Sequence, residues 1–277
     1  MSKPILYTFG PSVWAAVPEL ALIELGYAQD DIEKKVVNLA EGENFAPAFL
    51  KINPQGTLPT LEAGGNVYTS TAEVTSYLVA HASNRVAVAP GTDFISKIHE
   101  EQYDPNFPML SARHEDELRS KASGFSMMFV QNRQNALAKH SGTSQSVDHR
   151  EFYDAKIAEN GKVLSIYQAK APENVKSDFF EFSRAHWNTL NAFILEELPD
   201  ILPENGFLGG DKPGEDDFHL GAWLARIIFV ADGGNSSNGV RAIEKELGKP
   251  TPEKVVSYWT AWSGRKSWQE VYANGLH

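Results

Sequence analysis

The chain of 277 residues contains no cysteine. That single absence excludes a disulfide framework, a protein thiolate nucleophile, a CxxC redox pair and cysteine-bound zinc or iron–sulfur clusters. Any sulfur chemistry must use sulfur brought by another molecule. Also missing are a GxSxG elbow and a dinucleotide fingerprint, so hydrolase and dehydrogenase readings have no residues to stand on. Gly209-Gly210 through Gly214 lacks the Lys-Ser/Thr of a phosphate loop and reads as a turn. His114-Glu115-Asp116-Glu117 has no second histidine at metal spacing, so it reads as an acidic helix start and no metal is expected. Positive charge is scarce: 25 Lys+Arg stand against 36 Asp+Glu, a net charge of −11 that makes nucleic acid and anionic membrane poor partners. Met1-Ser2-Lys3-Pro4 lacks the basic start, long apolar core and small-residue cleavage site of a signal peptide, which points to a cytoplasmic location. On that expectation the lone sequon Asn235-Ser236-Ser237 is a chance match.

What the chain has in quantity is apolar surface. Hydrophobic residues make up 42% and the length exceeds a usual single domain, so two domains are expected. Ile5 to Phe9 reads as a strand ended by Gly10-Pro11, and from Val13 apolar residues recur at helical spacing until Gly26. A second strand is expected over Lys34–Leu39 and a brief amphipathic helix over Phe45–Ile52 before Asn53-Pro54-Gln55-Gly56. Strands at Leu58–Glu62 and Asn66–Thr69 flank a glycine turn, and a helix from Ser70 to Ala82 opens on a capping box with Glu73. This βαβ-ββα order ends in a Pro-Gly-containing linker over Arg85–Thr92. Beyond it helical runs are expected at Phe94–Tyr103, Asp116–Lys139, Arg150–Lys170, Val175–Leu198, Asp216–Ala231 and Pro252–Arg265, with Ser141–Asp148 as a polar loop tip. Trp223, Trp259, Trp262 and Trp268 are expected to pack the last helices together.

Three stretches of the first domain, taken in order, resemble the glutathione transferase superfamily. The first is Leu6-Tyr7, then Ser12, then Leu20-Ala21-Leu22-Ile23-Glu24-Leu25-Gly26, similar to that family's serine followed by its "LALEELG" helix end. The second, Asn53-Pro54-Gln55-Gly56-Thr57-Leu58-Pro59-Thr60-Leu61, resembles "NPxGxVPxL", whose last proline is cis in the family. The third, Val67 through Leu78 with Ser70-Thr71-Ala72, resembles "VLTESxAIxxYL". Farther on, Phe207 through Asp217 is similar to the family's "FLxGxxxTxAD" helix start, in which the aspartate caps a buried helix.

The resemblance implies a thioredoxin-like α/β domain over residues 1–84 that binds glutathione, and an all-helical domain over 93–277 that contributes a site for a hydrophobic substrate. It implies conjugation of glutathione to electrophilic, largely apolar compounds in a detoxifying role, with glutathione as co-substrate and a homodimeric assembly. Leu58, beside Pro59, would present its backbone to the cysteinyl part of glutathione. Ser70 and Thr71, at a helix start, would receive the γ-glutamyl carboxylate. The Ser12 hydroxyl would donate to the sulfur and stabilise the thiolate; Tyr7 is the rival donor, although its position suits a core residue. Where the family carries a glutamate before its serine this chain has Ser70, where it carries a basic residue near the second helix it has Phe45, and where a Ser/Thr caps the later helix it has Gly214. Lys51 and Lys35 read first as solvated surface lysines; in the resemblance they would compensate for the lost partner of the glycine carboxylate. Phe9 and Trp14 from the first domain, and Tyr103 and Phe107 from the second, would line the hydrophobic site; Met127, Met128 and Phe129 read as core first. The charge losses motivate a second reading, a ligandin-like module that binds hydrophobic molecules with little catalysis, and a third, a structural adaptor on the same fold.

Overall fold

β1 (Ile5–Thr8) is followed by α1 (Val13–Glu24), β2 (Glu33–Val36), α2 (Pro47–Leu50), β3 (Thr60–Ala63), β4 (Asn66–Tyr68) and α3 (Thr71–His81). In this computed structural model, which describes residues 3–82 and 86–277, the strands form one sheet of order β2-β1-β3-β4. The expected domain edge at 84 and the first linker residue, Arg85, lie outside the described residues, as do Met1 and Ser2. β1 and β4 both run antiparallel to β3, with Tyr7 opposite Thr60 and Leu61 opposite Tyr68. This is the thioredoxin-like α/β arrangement expected, and among the described residues every later element is a helix, apart from an isolated bridge between Phe207 and Gly210.

The helices that follow are α4 (Asp93–Ile98), α5 (Phe107–Leu110), α6 (Glu115–Ala122), α7 (Phe125–Ser141), α8 (Arg150–Tyr167), α9 (Glu173–Ala192), α10 (Leu198–Ile201), α11 (Glu215–Val230), α12 (Gly239–Leu247), α13 (Glu253–Ser263) and α14 (Lys266–Val271). Several depart from the sequence expectation for local reasons. The helix expected over 45–52 divides into a 3-10 turn, Glu43–Phe45, and α2, because Ala46 precedes Pro47 and is extended (φ −62°, ψ 135°). The run expected over 116–139 breaks at Ser123-Gly124. After α9 the chain widens into a π turn, Phe193–Glu197, which accommodates Pro199 next to the carbonyl of Leu195. The polar stretch 141–148 is not a bare loop tip: it holds a 3-10 turn, Ser144–His149.

Pro18 lies inside α1 without delaying its start. An interior proline costs about 3 kcal/mol, but α1 buries Val13, Val17, Leu20 and Leu22, each contributing roughly 1.5–3 kcal/mol. Burial wins. At the far end of α1 the Glu24 carboxylate accepts two hydrogen bonds from the Arg265 guanidinium, both 2.6 Å.

The chain packs as two compact units. One comprises Met1–Lys34, Leu58–Asn106 and His186–His277; the other comprises Lys35–Thr57 and Phe107–Ala185. The first has the larger core, in which α1 and α11 bury Leu20, Phe218 and Trp223 completely. Three of the four tryptophans expected to pack together do so, Trp259 and Trp262 lying 5.0 and 5.6 Å from Trp268, whereas the Trp223 ring meets Phe193 at 5.2 Å. Gly221 is demanded by that packing, since a Cβ there would sit 2.7 Å from the Trp262 ring. Linker residues are also anchored in this unit: the Gly91 amide donates to Glu215 (3.0 Å), and the Thr92 amide and hydroxyl donate to Asp216 (2.9 and 2.7 Å). The second unit buries Phe45, Leu50 and Leu137 around Tyr153, whose hydroxyl donates to the Phe45 carbonyl at 2.6 Å. Phe45, at the position where the family pattern has a basic residue, is therefore a core side chain, and the Arg133 guanidinium lies 4.6 Å from its ring centre.

Candidate functional site

The antiparallel registers decide where the site residues emerge. Tyr7 opposite Thr60 sets the end of β1 beside the start of β3, and Leu61 opposite Tyr68 brings the end of β4 to the same side. The segments Phe9–Ser12, Leu58–Pro59 and Ser70–Thr71 therefore all leave or enter the sheet at one end, within a single compact unit. Fifty-eight residues separate Ser12 from Ser70 in the chain, yet the topology gathers them.

Ser12 is the N-cap of α1, with extended backbone (φ −98°, ψ 121°) and little exposure, 9%. Its amide donates to the Phe9 carbonyl at 2.9 Å, closing the Gly10-Pro11 turn, and its Oγ accepts from the Ala15 amide at 3.4 Å. That cap is long, and no acceptor among the described residues takes the hydroxyl proton. The first turn of α1 carries no acidic residue, so the positive helix end is left uncompensated by its own sequence. α3 and α11 differ, since each has carboxylates in its first turn.

Tyr7 offers no comparable donor. Its hydroxyl is hydrogen-bonded to the Glu62 carboxylate, and burial together with Glu62 pushes its pKa up to about 12. A phenol in that state holds its proton against its own neighbour, which matches its reading as a core residue.

Leu58 and Pro59 are joined by a cis peptide bond. The Leu58 amide and carbonyl have no hydrogen-bond partner among the described residues, although Leu58 is only 7% exposed. Buried backbone groups are nearly always paired, so an unmatched donor and acceptor side by side form a short strand edge open to an extended ligand.

Ser70 caps α3 as expected. Its Oγ accepts from the Glu73 amide at 3.2 Å, and the Glu73 carboxylate accepts from the amides of Ser70 and Thr69, each 3.1 Å. These donors hold the Glu73 carboxyl below its ordinary pKa. Ser70 is thus tied to Glu73 through both its amide and its side chain, while Thr71 is buried at the first helical position.

The other expected site residues fall as follows. Phe9 and Trp14 are half-buried and flank the Ser12 turn, and Trp14 lies 4.0 Å from the His99 ring. Tyr103 is enclosed in the core, its ring 4.8 Å from Phe193 and its carbonyl accepting from the Trp223 indole at 2.6 Å. Phe107 and Lys51 belong to the second unit, where Phe107 lies 5.3 Å from Phe182 and Lys51 is exposed at the end of α2. Lys35 is exposed there too, and Met127 and Phe129 pack against a small core around Val130 while Met128 is 48% exposed. Among the described residues there is no cluster of three or more His, Cys, Asp or Glu able to hold a metal, and no helix long and apolar enough to cross a membrane.

Behind Trp14, His99 Nε2 and His219 Nδ1 lie 2.8 Å apart. Burial pushes the His99 pKa down to about 4, and burial with the neighbouring His99 lowers that of His219. Both rings are neutral in the fold, whereas in the unfolded chain they protonate near the ordinary histidine value of 6.5. Their contribution is therefore complete above pH 6.5 and is lost as pH falls toward 4, on the order of 3 kcal/mol for His99 alone. Urea midpoints measured across that range are expected to fall steeply for the wild type and less steeply for His99→Leu.

Comparison with known proteins adds three findings. Residues 6–85 match the family described as "Glutathione S-transferase, N-terminal domain". A curated relative, "Glutathione S-transferase D7" of Anopheles gambiae, is 34% identical over 77 residues, which is 28% of this chain and 34% of the relative; the matched stretch thus spans about a third of that protein's length. Among solved structures, "Beta-etherase LigF from Sphingobium sp. strain SYK-6" superposes with a TM-score of 0.52 at 16% identity, covering 99% of this chain and 100% of its own. "Glutathione Transferase E6 from Drosophila melanogaster" superposes at 0.50 with 16% identity, covering 98% and 92%. At such identities the superpositions establish the fold.

Proposed function

We propose that this chain, whose residues 6–85 match the glutathione S-transferase N-terminal domain family, is a serine-type glutathione transferase. Ser12 stabilises the thiolate of bound glutathione, which attacks an electrophilic, largely apolar compound. One observation carries this reading: an unclaimed Ser12 hydroxyl proton at an uncompensated helix N-terminus, at the same sheet end as the unpaired backbone of Leu58.

The chemistry follows from those groups. A glutathione thiol is mostly protonated at neutral pH, so a site that conjugates it must favour the thiolate. The Ser12 O–H donates to sulfur, a bond that strengthens as negative charge appears there, and the α1 dipole adds about 0.3–1 kcal/mol. Leu58, next to Pro59, pairs with the cysteinyl backbone of the tripeptide. Ser70 and Thr71, at the start of α3, receive the γ-glutamyl carboxylate. Phe9 and Trp14 border the second substrate, and Tyr103 backs them from the core. Lys51 and Phe107 keep the roles that the family resemblance gives them, a charge for glutathione and an apolar wall for its partner. On this reading residues 1–84 are the glutathione-binding domain, 93–277 the helical domain, and the protein is a cytoplasmic homodimer acting in detoxification.

Isothermal titration with glutathione and a conjugation assay on a chloronitrobenzene test this. Saturable binding with turnover supports the enzyme. Binding of a hydrophobic dye without turnover supports the ligandin-like reading, which the uncharged Ser70 motivates.

A further inference from the structure

We propose that Arg226 is a positioning residue for Ser12, holding the Pro11–Ser12 peptide in place and setting a buried positive charge behind it. The proposal rests on the serine-type reading above. Arg226 lies on α11 and is 3% exposed, yet its Nη2 donates to the Pro11 carbonyl at 2.8 Å, across 215 residues of sequence. The same peptide group is fastened on its other side, because the Ser12 amide donates to Phe9 at 2.9 Å. With both its C=O and its N–H engaged, the peptide plane cannot swing, and the direction of the Ser12 Cα–Cβ bond is fixed with it. A guanidinium on the carbonyl also polarises that peptide and strengthens the hydrogen bond beyond it.

A charged side chain is an expensive way to hold a turn, since burial lowers the Arg226 pKa to about 10. A neutral donor of similar reach would fix the peptide at less cost. What only the cation supplies is a field, felt by its neighbours as well: burial, and after it Arg226, lower the His277 pKa to about 4. A positive charge shifts a thiol in the same direction, toward its ionised form. The groups facing Arg226 are Asp104, with His186 bonded to its carbonyl at 2.9 Å, then Tyr272 and His277 from the C-terminal segment, and the Phe229 ring at 5.6 Å. Asp104 is the one carboxylate among them. Burial raises its pKa, and Arg226 is among the groups that lower it, so its charge offsets that of the guanidinium in part.

The test is the pKa of the bound glutathione thiol, read from its ultraviolet thiolate absorbance and from the pH profile of kcat/KM. Arg226→Met is expected to raise that pKa by about one unit and to lower kcat/KM by about tenfold or more, with a smaller change in glutathione KM. Arg226→Lys, which keeps the charge, is expected to restore most of the pKa. Asp104→Asn removes the offsetting charge and is expected to move the pKa the other way, so the prediction does not depend on how well Arg226→Met folds. If the Arg226 variants lose rate and thermal stability while the thiol pKa stays put, and Asp104→Asn leaves it unmoved, Arg226 only holds the fold and the proposal is overturned. A wild-type thiol pKa equal to that of free glutathione would overturn the serine-type reading itself, and the proposal with it.

Discussion

Replacing Ser12 by alanine is expected to lower kcat/KM for conjugation by on the order of a hundredfold, the usual cost of removing one donor from developing negative charge. Under the proposed function glutathione affinity should change far less, because Leu58 and the start of α3, which would hold the tripeptide, are left intact by the substitution. The expected loss therefore falls on kcat. The Ala15 amide loses its side-chain acceptor as well, but that bond is 3.4 Å long, so the cost to stability should stay at or below about 1 kcal/mol. Tyr7→Phe supplies the control: its hydroxyl is engaged by Glu62, so the rate should remain near that of the wild type. A Tyr7→Phe variant that lost as much activity as Ser12→Ala would assign the donor role to the phenol instead.

Asp217→Ala is expected to be the most destabilising single change in the molecule. This carboxylate at the start of α11 is fully buried and accepts four hydrogen bonds: from the amides of Leu208, Gly209 and Gly214, each 2.8 Å, and from the Tyr258 hydroxyl at 3.0 Å. It thereby closes the tight turn between Phe207 and Gly210 onto the helix. Burial raises its pKa while those donors oppose the rise, so the site is one in which charge and partners depend on each other. Truncation strands several buried N–H groups, each costing about 1–3 kcal/mol, so a loss of at least about 3 kcal/mol is expected in urea denaturation. Tyr258→Phe removes one of the four bonds and should cost about 1 kcal/mol. An Asp217→Ala variant within the range of surface substitutions would contradict this account of the α11 start.

Both residues were legible in the chain for the same reason: their work is local. A cap needs a serine just before an apolar period, and a buried helix-start aspartate needs a glycine turn a few residues earlier, so short spacing carries the signal. The succession of strands and helices in the first domain, the Ser70–Glu73 box and the packing of Trp259, Trp262 and Trp268 were readable on similar grounds. What was not readable is contact at a distance. Glu215 and Asp216 read as ordinary acidic first-turn residues, yet they fasten Gly91 and Thr92, more than 120 residues away. Nothing in the sequence around Arg226 distinguishes it from a solvated arginine on a helix, and only the fold reveals the Pro11 carbonyl at its tip. Phe45 shows the converse: a family pattern suggested a missing ligand contact, whereas packing against Leu50, Leu137 and Tyr153 explains the phenylalanine. Short helices such as α12 and α14 escaped because one or two turns between glycines give too little periodicity to detect.

The most direct test is a pH titration of glutathione bound to the wild type and to Ser12→Ala, following thiolate absorbance. The account predicts a bound thiol that ionises at lower pH than free glutathione in the wild type and returns most of the way to the free value in the variant. Identical ionisation in the two proteins, or no lowering in either, would contradict it.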